Sequence, residues 1–293
     1  MPTAEQVLKD AEKTLKASPY VDHPHSGKER YDAEDLLSFV LGMEPQDLDD
    51  EEEVTPAELR RFRALVARRA AGEPGAYLTR RAEFKGMWLE VGKGAFIPRQ
   101  SSEDMVDQAV RRLSRRSRPV HVDVATGVGP VALGVADAIP QARVFGMDIG
   151  ARPIAFAKRN ARALKLSNAR FLRGDLFSPL PASLWGKVDL VTVHPPYVPR
   201  GEVRLLPDEV KLHEPRESLT DDSPAGMGLL TRVVREAPGW LRPGGWLLVE
   251  VSSDRSRDVS TTLRRSGFRD VRSTRGKLGV SRVVVGRRPG ASG

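Results

Sequence analysis

Val122-Asp123-Val124-Ala125-Thr126-Gly127-Val128-Gly129 is the stretch that decides the fold of this 293-residue chain. An apolar strand runs into a turn of small residues, and a helical pattern from about 129 to 138 follows directly. Small residues at such a turn let backbone approach a ligand closely, because glycine carries no Cβ and tolerates left-handed torsions. A second strand, Val144-Phe145-Gly146-Met147-Asp148, ends in an acid that can accept hydrogen bonds from two ribose hydroxyls.

Dinucleotide sites and S-adenosylmethionine sites share this logic and differ in the phosphate cradle. The third glycine of a GxGxxG loop is missing from its expected place, which weighs against a pyrophosphate. Gly127 and Gly129 alone would be weak evidence, since any tight turn uses glycine. Gly174-Asp175-Leu176-Phe177 after the third strand adds weight: Asp175 can bond an adenine amino group, and Leu176 or Phe177 can cover the ring. The competing reading of Asp175 is a helix N-cap.

Outward from this core, strand-like runs at 119 to 125, 143 to 148, 169 to 173, 188 to 193, 245 to 251 and 282 to 286 alternate with helical segments, including 102 to 114 and 151 to 165. That alternation predicts an α/β fold with a mostly parallel sheet covered on both faces. The first seventy residues read differently. Helical patterns cover 3 to 17, 32 to 41 and 56 to 71, and Thr55-Pro56-Ala57-Glu58 supplies an N-cap, a proline at the first helical position and an acid in the first turn. Glycine-punctuated extended segments between 82 and 96 predict a hairpin. The expected division is a helical domain at 1–80, a hairpin linker at 81–100, a catalytic domain at 101–288 and a flexible tail at 289–293.

The chain has no cysteine, which excludes disulfides, thiolate metal sites and thiol nucleophiles. Its five histidines lack helical metal-site spacing, so no metal is expected, and His23 and His25 read as part of a polar turn. No apolar run is long enough to span a bilayer and no signal sequence is evident, so a cytoplasmic protein without a membrane partner is expected. The net charge is +8, and residues 251 to 293 hold eleven Arg or Lys against three Asp. This basic segment reads either as a solvated surface or as a face for an acidic or nucleic-acid partner. Only Phe268 interleaves with the arginines, so a base-stacking surface is not indicated.

The strand at 188 to 193 ends in His194-Pro195-Pro196-Tyr197. Two prolines after an apolar strand forfeit ladder hydrogen bonds and point to chemistry rather than structure. With the cofactor motifs, this element resembles the HemK-type protein-glutamine N5-methyltransferases, which modify the glutamine of a Gly-Gly-Gln motif in peptide-chain release factors. The resemblance also rests on Asp32-Ala33-Glu34, Arg68-Arg69-Ala70-Ala71-Gly72-Glu73-Pro74, Phe96-Ile97-Pro98-Arg99, Glu214-Pro215-Arg216 and Leu241-Arg242-Pro243-Gly244-Gly245-Trp246. It implies a class I S-adenosylmethionine-dependent fold: a Rossmann-like seven-stranded sheet with its last strand antiparallel, preceded by a helical substrate-recognition domain. Departures from the family pattern fall at Ala125, at Gln100-Ser101-Ser102-Glu103, at His194 where the family carries Asn, and in a polar insertion at about 19 to 29.

The resemblance implies cofactor contacts from Ala125, Thr126, Gly127, Val128, Gly129, Asp148, Asp175, Leu176 and His194, with S-adenosyl-L-homocysteine as product. It implies that His194, Pro195 and Tyr197 act on the acceptor, the family Asn and the first proline carbonyl each taking one amide N–H. Pro196, Arg99 and Glu103 complete the expected substrate contacts, although a surface ion pair is an equal reading for Arg99 and Glu103. A neutral imidazole offers one acceptor nitrogen and a protonated one offers none. Three readings of His194 therefore stand: a functional replacement, a general base toward another acceptor, or weakened catalysis. The alternatives to a release factor are a base in RNA or DNA, a different protein or small-molecule acceptor, and a non-catalytic cofactor-binding protein. Glu214 and Arg216 read as a clamp on residues 198 to 225, a segment that is also a candidate substrate lid, and Trp246 reads as core.

Overall fold

The computed structural model describes residues 1–22, 27–279 and 281–290, so the turn read at His23 and His25 and the last three residues of the expected tail lie outside the described residues. The first helices are α1 (Ala4–Lys16), α2 (Lys28–Leu41), α3 (Pro56–Ala70) and the single turn α4 (Gly75–Leu78). They meet through Val7, Leu8, Ala11 and Leu15 of α1, Ala33, Leu36, Leu37 and Val40 of α2, and Phe62 and Val66 of α3. Helical spacing puts each set on one face, and burial of those faces gives the helices their stability. The start of α3 carries the expected N-cap and first-turn acid, and the two close a capping box: Glu58 N donates to Thr55 Oγ1 at 3.3 Å, and Thr55 N donates to Glu58 Oε2 at 2.9 Å. Gly42 ends α2 in a left-handed conformation at φ 75°, donating its N–H to Ser38 O. α2 begins four residues earlier than the apolar pattern suggested, because its first turn, Lys28 to Tyr31, is polar.

Next come β1 (Arg81–Phe84) and β2 (Met87–Glu90), a two-stranded sheet, then α5 (Glu103–Leu113), β3 (Val120–Val124), α6 (Pro130–Ala138), β4 (Arg143–Asp148), α7 (Ala151–Ala163), β5 (Ala169–Arg173) and β6 (Val188–Val193). The chain continues through the turns α8 (Asp208–Lys211) and α9 (Arg216–Leu219), then α10 (Gly228–Trp240), β7 (Leu241–Ser252), α11 (Ser256–Arg265), β8 (Arg269–Arg275) and β9 (Ser281–Arg287). The large sheet has seven strands in the order β5-β4-β3-β6-β7-β9-β8. β5 through β7 are parallel, and β9 is antiparallel to both of its neighbours. Every residue of β3 and of β6 is buried, as expected for strands covered on both faces. This is the α/β class I methyltransferase arrangement expected from the sequence.

Two strands differ from the sequence reading. β8 escaped it because its seven residues, Arg-Asp-Val-Arg-Ser-Thr-Arg, are mostly exposed and show no apolar alternation. As an edge strand it gains from arginines, which discourage pairing with another chain. β7 begins at Leu241 rather than 245, passing through Pro243-Gly244-Gly245 where its register against β6 shifts. Trp246 is half-buried rather than core, with the Arg112 guanidinium 4.8 Å from its ring centroid. Arg288, the last residue of the expected catalytic domain, exchanges backbone hydrogen bonds with Gly244 and Gly245.

The chain divides into two compact units. The helical unit comprises Met1–Arg81, Val91–Lys93 and Arg204–Pro215; the sheet unit holds the remainder. Within the helical unit, Arg69 is buried and donates to Asp32 Oδ2 at 2.8 Å and Glu209 Oε2 at 2.6 Å, while Lys28 Nζ reaches Glu209 Oε1 at 3.0 Å. Among the described residues no helix is long and apolar enough to cross a membrane.

Candidate active site

In the sheet unit the strand order reverses at β3, which lies between β4 and β6. Open α/β sheets bind ligands at the carboxyl ends of the strands beside such a reversal. The register makes this end a single row: Met147 pairs with Val124, Val124 with Val193, and Val193 with Val249. The next residue along each strand is therefore Asp148, Ala125, His194 and Glu250. Parallel pairing thus brings the sequence-predicted candidates Asp148, Ala125 and His194 to one edge, and adds Glu250.

The turn after β3 runs through Ala125 at φ 54°, Gly127 at φ 57° and Gly129 at φ 91°. Ala125 occupies a left-handed conformation where the family motif carries glycine, at a cost of about 1–2 kcal/mol for a residue with a Cβ. Val128 is buried beneath the turn. A Cβ placed on Gly127 would meet nothing within 4 Å, so open space lies in front of the turn. Gly127 N donates to Asp148 Oδ2 at 3.0 Å and Gly150 N to Asp148 Oδ1 at 2.8 Å. Those bonds orient the carboxylate and leave it lone pairs for ribose hydroxyls. Burial pushes the Asp148 carboxyl above its ordinary range despite these bonds. The cradle, the acid at the strand tip and the open space fit a nucleoside such as that of S-adenosylmethionine.

A buried polar chain braces the turn from below. Asp123 accepts from Thr126 Oγ1 through Oδ2 and from Thr192 Oγ1 through Oδ1, both at 2.6 Å, and His121 Nε2 meets Thr192 Oγ1 at 2.8 Å. Asp123 pairs with Thr192 across the β3–β6 ladder, which is why a side chain from each strand can share one proton network. Burial pushes the Asp123 carboxyl up to about 6, and burial lowers the His121 imidazole to about 3. Because the Thr192 hydroxyl proton is committed to Asp123, His121 Nε2 is the donor between them.

Asp175 and Leu176 follow β5. The Asp175 carboxylate is half-exposed and accepts from Arg232 Nη2 at 2.5 Å, rather than capping a helix. Leu176 takes a left-handed conformation at φ 46° and packs into the core. Phe177, offered by the sequence as an alternative cover for an adenine ring, is fully buried and stacked on Trp240 with centroids 6.0 Å apart.

His194-Pro195-Pro196-Tyr197 leaves β6 with both prolines buried and no cis peptide among the described residues. Tyr197 then forms an isolated antiparallel bridge to Thr220, and Val198 N donates to Leu219 O. Gly226, at φ 65°, lies so close that a Cβ would collide with the Tyr197 carbonyl, so glycine is required there. The Tyr197 ring stacks on His194 at 5.8 Å and 18°, and Phe96 meets His194 edge-on at 5.8 Å. Burial, followed by the Glu250 charge, pushes the Tyr197 phenol up to about 12, so it stays a neutral hydroxyl.

His194 Nδ1 lies 3.3 Å from Ser102 Oγ and 3.7 Å from Glu250 Oε2. Ser101 Oγ donates to Glu250 Oε1 at 2.9 Å. Glu250, Ser101 and Ser102 were not candidates from sequence, yet both departures from the family pattern, at 100 to 102 and at 194, meet here. Arg99 lies 4.5 Å from the Phe96 ring centroid, near this cluster. Glu103 does not join it: its Oε1 accepts the Lys85 N–H at 2.8 Å and so holds the turn between β1 and β2. Arg216 pairs with Asp222 at 2.5 Å within the sheet unit, and Glu214 is buried in the helical unit, where its N–H donates to Val210 O.

Residues 6–79 match the PrmC N-terminal domain, and residues 117–271 match a methyltransferase domain. A release factor glutamine methyltransferase of Bordetella pertussis is 37% identical over 262 residues, covering 89% of this chain and 95% of that protein. One from Geobacter sulfurreducens is 35% identical, covering 88% and 89%, and one from Moorella thermoacetica is 36% identical, covering 90% and 91%. Among solved structures, a T. Thermophilus 16S rRNA N2 G1207 methyltransferase in complex with AdoMet and guanosine aligns with a TM-score of 0.51 at 18% identity, over 71% of this chain and 49% of that one. A methyltransferase from Pyrococcus furiosus aligns with a TM-score of 0.50 at 16% identity, over 70% and 90%. At these identities the structural likeness shows the fold alone.

Proposed function

Because the chain belongs to the release factor glutamine methyltransferase family and is a methyltransferase, we propose that it uses S-adenosylmethionine to methylate a glutamine side-chain nitrogen in the Gly-Gly-Gln motif of a peptide-chain release factor. A cytoplasmic setting follows from that substrate. When bound, S-adenosylmethionine supplies an electrophilic methyl on a sulfonium. The rest falls to the chain: Asp148 and the turn from Ala125 to Gly129 hold the nucleoside, and the row at the strand ends sets the acceptor beside it.

A glutamine amide nitrogen is a poor nucleophile because its lone pair is delocalised into the carbonyl. Two acceptors that take its two N–H groups hold it in one orientation, and alignment of this kind supplies up to about 7–11 kcal/mol of a reaction barrier. The Pro195 carbonyl is one acceptor, His194 stands in for the family Asn as the other, and Tyr197 packs against the substrate. Pro196 and Arg99 line the same approach. The observation that carries this reading is the register row that sets His194 and Asp148 at the same edge, with Ala125 between them.

Incubation with isotopically labelled S-adenosylmethionine and purified release factor, followed by peptide mapping, tests it. Label on the glutamine of Gly-Gly-Gln is expected. Label that appears only in nucleic acid when a cell extract is supplied would overturn the substrate and favour the base-methylating alternative.

A further inference from the structure

Which nitrogen of His194 faces the substrate is decided by what surrounds the ring. Both of its polar neighbours, Ser102 Oγ and Glu250 Oε2, fall on Nδ1. Nε2 has no polar partner among the described residues, and the side chain retains 20% exposure. Glu250 by contrast is 1% exposed, with Oε1 satisfied by Ser101 and Oε2 without a hydrogen bond.

The two neutral tautomers differ sharply in this setting. With the proton on Nε2, the Nδ1 lone pair would face the unmatched Glu250 oxygen, leaving a buried acceptor opposite another acceptor. With the proton on Nδ1, an N–H points at the carboxylate and at Ser102 Oγ, and the Nε2 lone pair is free toward the exposed side. A carboxylate behind one ring nitrogen commonly sets the tautomer that the other presents. The other groups around the ring are Phe96 at its edge, beneath Arg99, and the Tyr197 phenol on its face, with Asp254 acting on that phenol.

We propose that Glu250, steadied by Ser101 and assisted by Ser102, is a positioning residue that holds His194 in the Nδ1–H tautomer, so that Nε2 accepts one N–H of the substrate amide. For the identity of that amide the inference rests on the glutamine reading above; for the tautomer it does not. The serines at 101 and 102 and the histidine at 194 then form one compensated unit in which an imidazole does the work of an amide oxygen.

The first test needs no substrate. Long-range 1H–15N correlation spectra of the histidine-labelled protein should show His194 protonated on Nδ1. In Glu250→Gln the introduced amide can donate to Nδ1, and the proton should move to Nε2. Kinetically, Glu250→Gln should lower kcat/KM for release-factor methylation by about 10- to 100-fold, the range seen when the outer partner that fixes a functional imidazole's tautomer is removed. The same change in a His194→Asn background should cost less than about 3-fold, since the ring it positions is gone. The circular-dichroism spectrum and unfolding midpoint of each variant control for folding. An Nε2–H tautomer in the wild-type protein, or equal losses in the two backgrounds, would overturn the inference. The expected tautomer together with no glutamine methylation would instead remove the substrate reading and leave the positioning role standing.

Discussion

The cluster around Arg69 in the helical unit and the one around Glu250 in the sheet unit bury charge in opposite ways. Around Arg69 two carboxylates converge on one guanidinium and Lys28 reaches both, so that within this cluster, among the described residues, only Arg69 Nη1 lacks a hydrogen bond. At the strand ends of the sheet unit, Glu250 Oε2 is left unmatched and Asp123 keeps its proton well above the ordinary carboxylate range. The same contrast runs through the backbone. α2 and α3 end on left-handed glycines, Gly42 and Gly72, whereas the turns after β3 and β5 place Ala125 and Leu176 at positive φ. A cluster that only holds a fold together satisfies its charges; one that must meet a ligand keeps capacity in reserve.

The largest expected effect breaks the satisfied cluster. Arg69→Met keeps the volume but strips Asp32 and Glu209 of their buried cation, and should lower unfolding stability by about 3–5 kcal/mol in denaturant titration. Glu250→Gln, which removes a buried charge with a single hydrogen bond, should change stability by less than about 1 kcal/mol in the same assay while impairing activity. Equal losses for the two would erase the distinction.

The pH dependence of stability should carry opposite signs at Glu209 and at Asp123. Burial raises Glu209, but Arg69 and Lys28 outweigh it and hold the carboxyl below its ordinary 4.5. Its contribution is therefore present above that value and is lost as pH falls through the lower folded value. Asp123 is raised from 3.8 to about 6, so its contribution is full below 3.8 and declines as pH rises to about 6, by about 3 kcal/mol. Asp123→Asn should remove that decline and leave the acid-side loss from Glu209 intact, read as unfolding free energy at a series of pH values.

The smallest effect concerns the turn. Ala125→Gly should raise unfolding free energy by about 1 kcal/mol, because the left-handed conformation no longer carries a Cβ. Gly42→Ala in the helical unit should cost a similar amount, so the two reciprocal changes measure the same backbone preference from both sides.

Much of this molecule is legible in its local sequence. The capping box at Thr55 and Glu58, the strands at 143 to 148, 169 to 173 and 188 to 193, and the glycine turn followed by Asp148 are local features, and local residue chemistry encodes them. β8 was illegible because an arginine-rich edge strand owes its existence to β9 rather than to a pattern of its own. Asp175 could be found by motif, but its engagement with Arg232, 57 positions further on, could not. Glu250 was missed because it reads as one more residue in an apolar strand, and Ser101 and Ser102 registered only as departures from a pattern.

By itself, the sequence determined the α/β class, the helical segment before it, the nucleoside turn and the strand end that carries His194, since each depends on neighbours a few residues apart. What His194 faces depends instead on strands and loops distant in the chain. The pairing of Val193 with Val249 sets Glu250 beside it, and the loop into α5 delivers Ser102 from 92 positions away. Sheet register is a relation between strands, so no single segment contains the information that puts a carboxylate behind one imidazole nitrogen and leaves the other open.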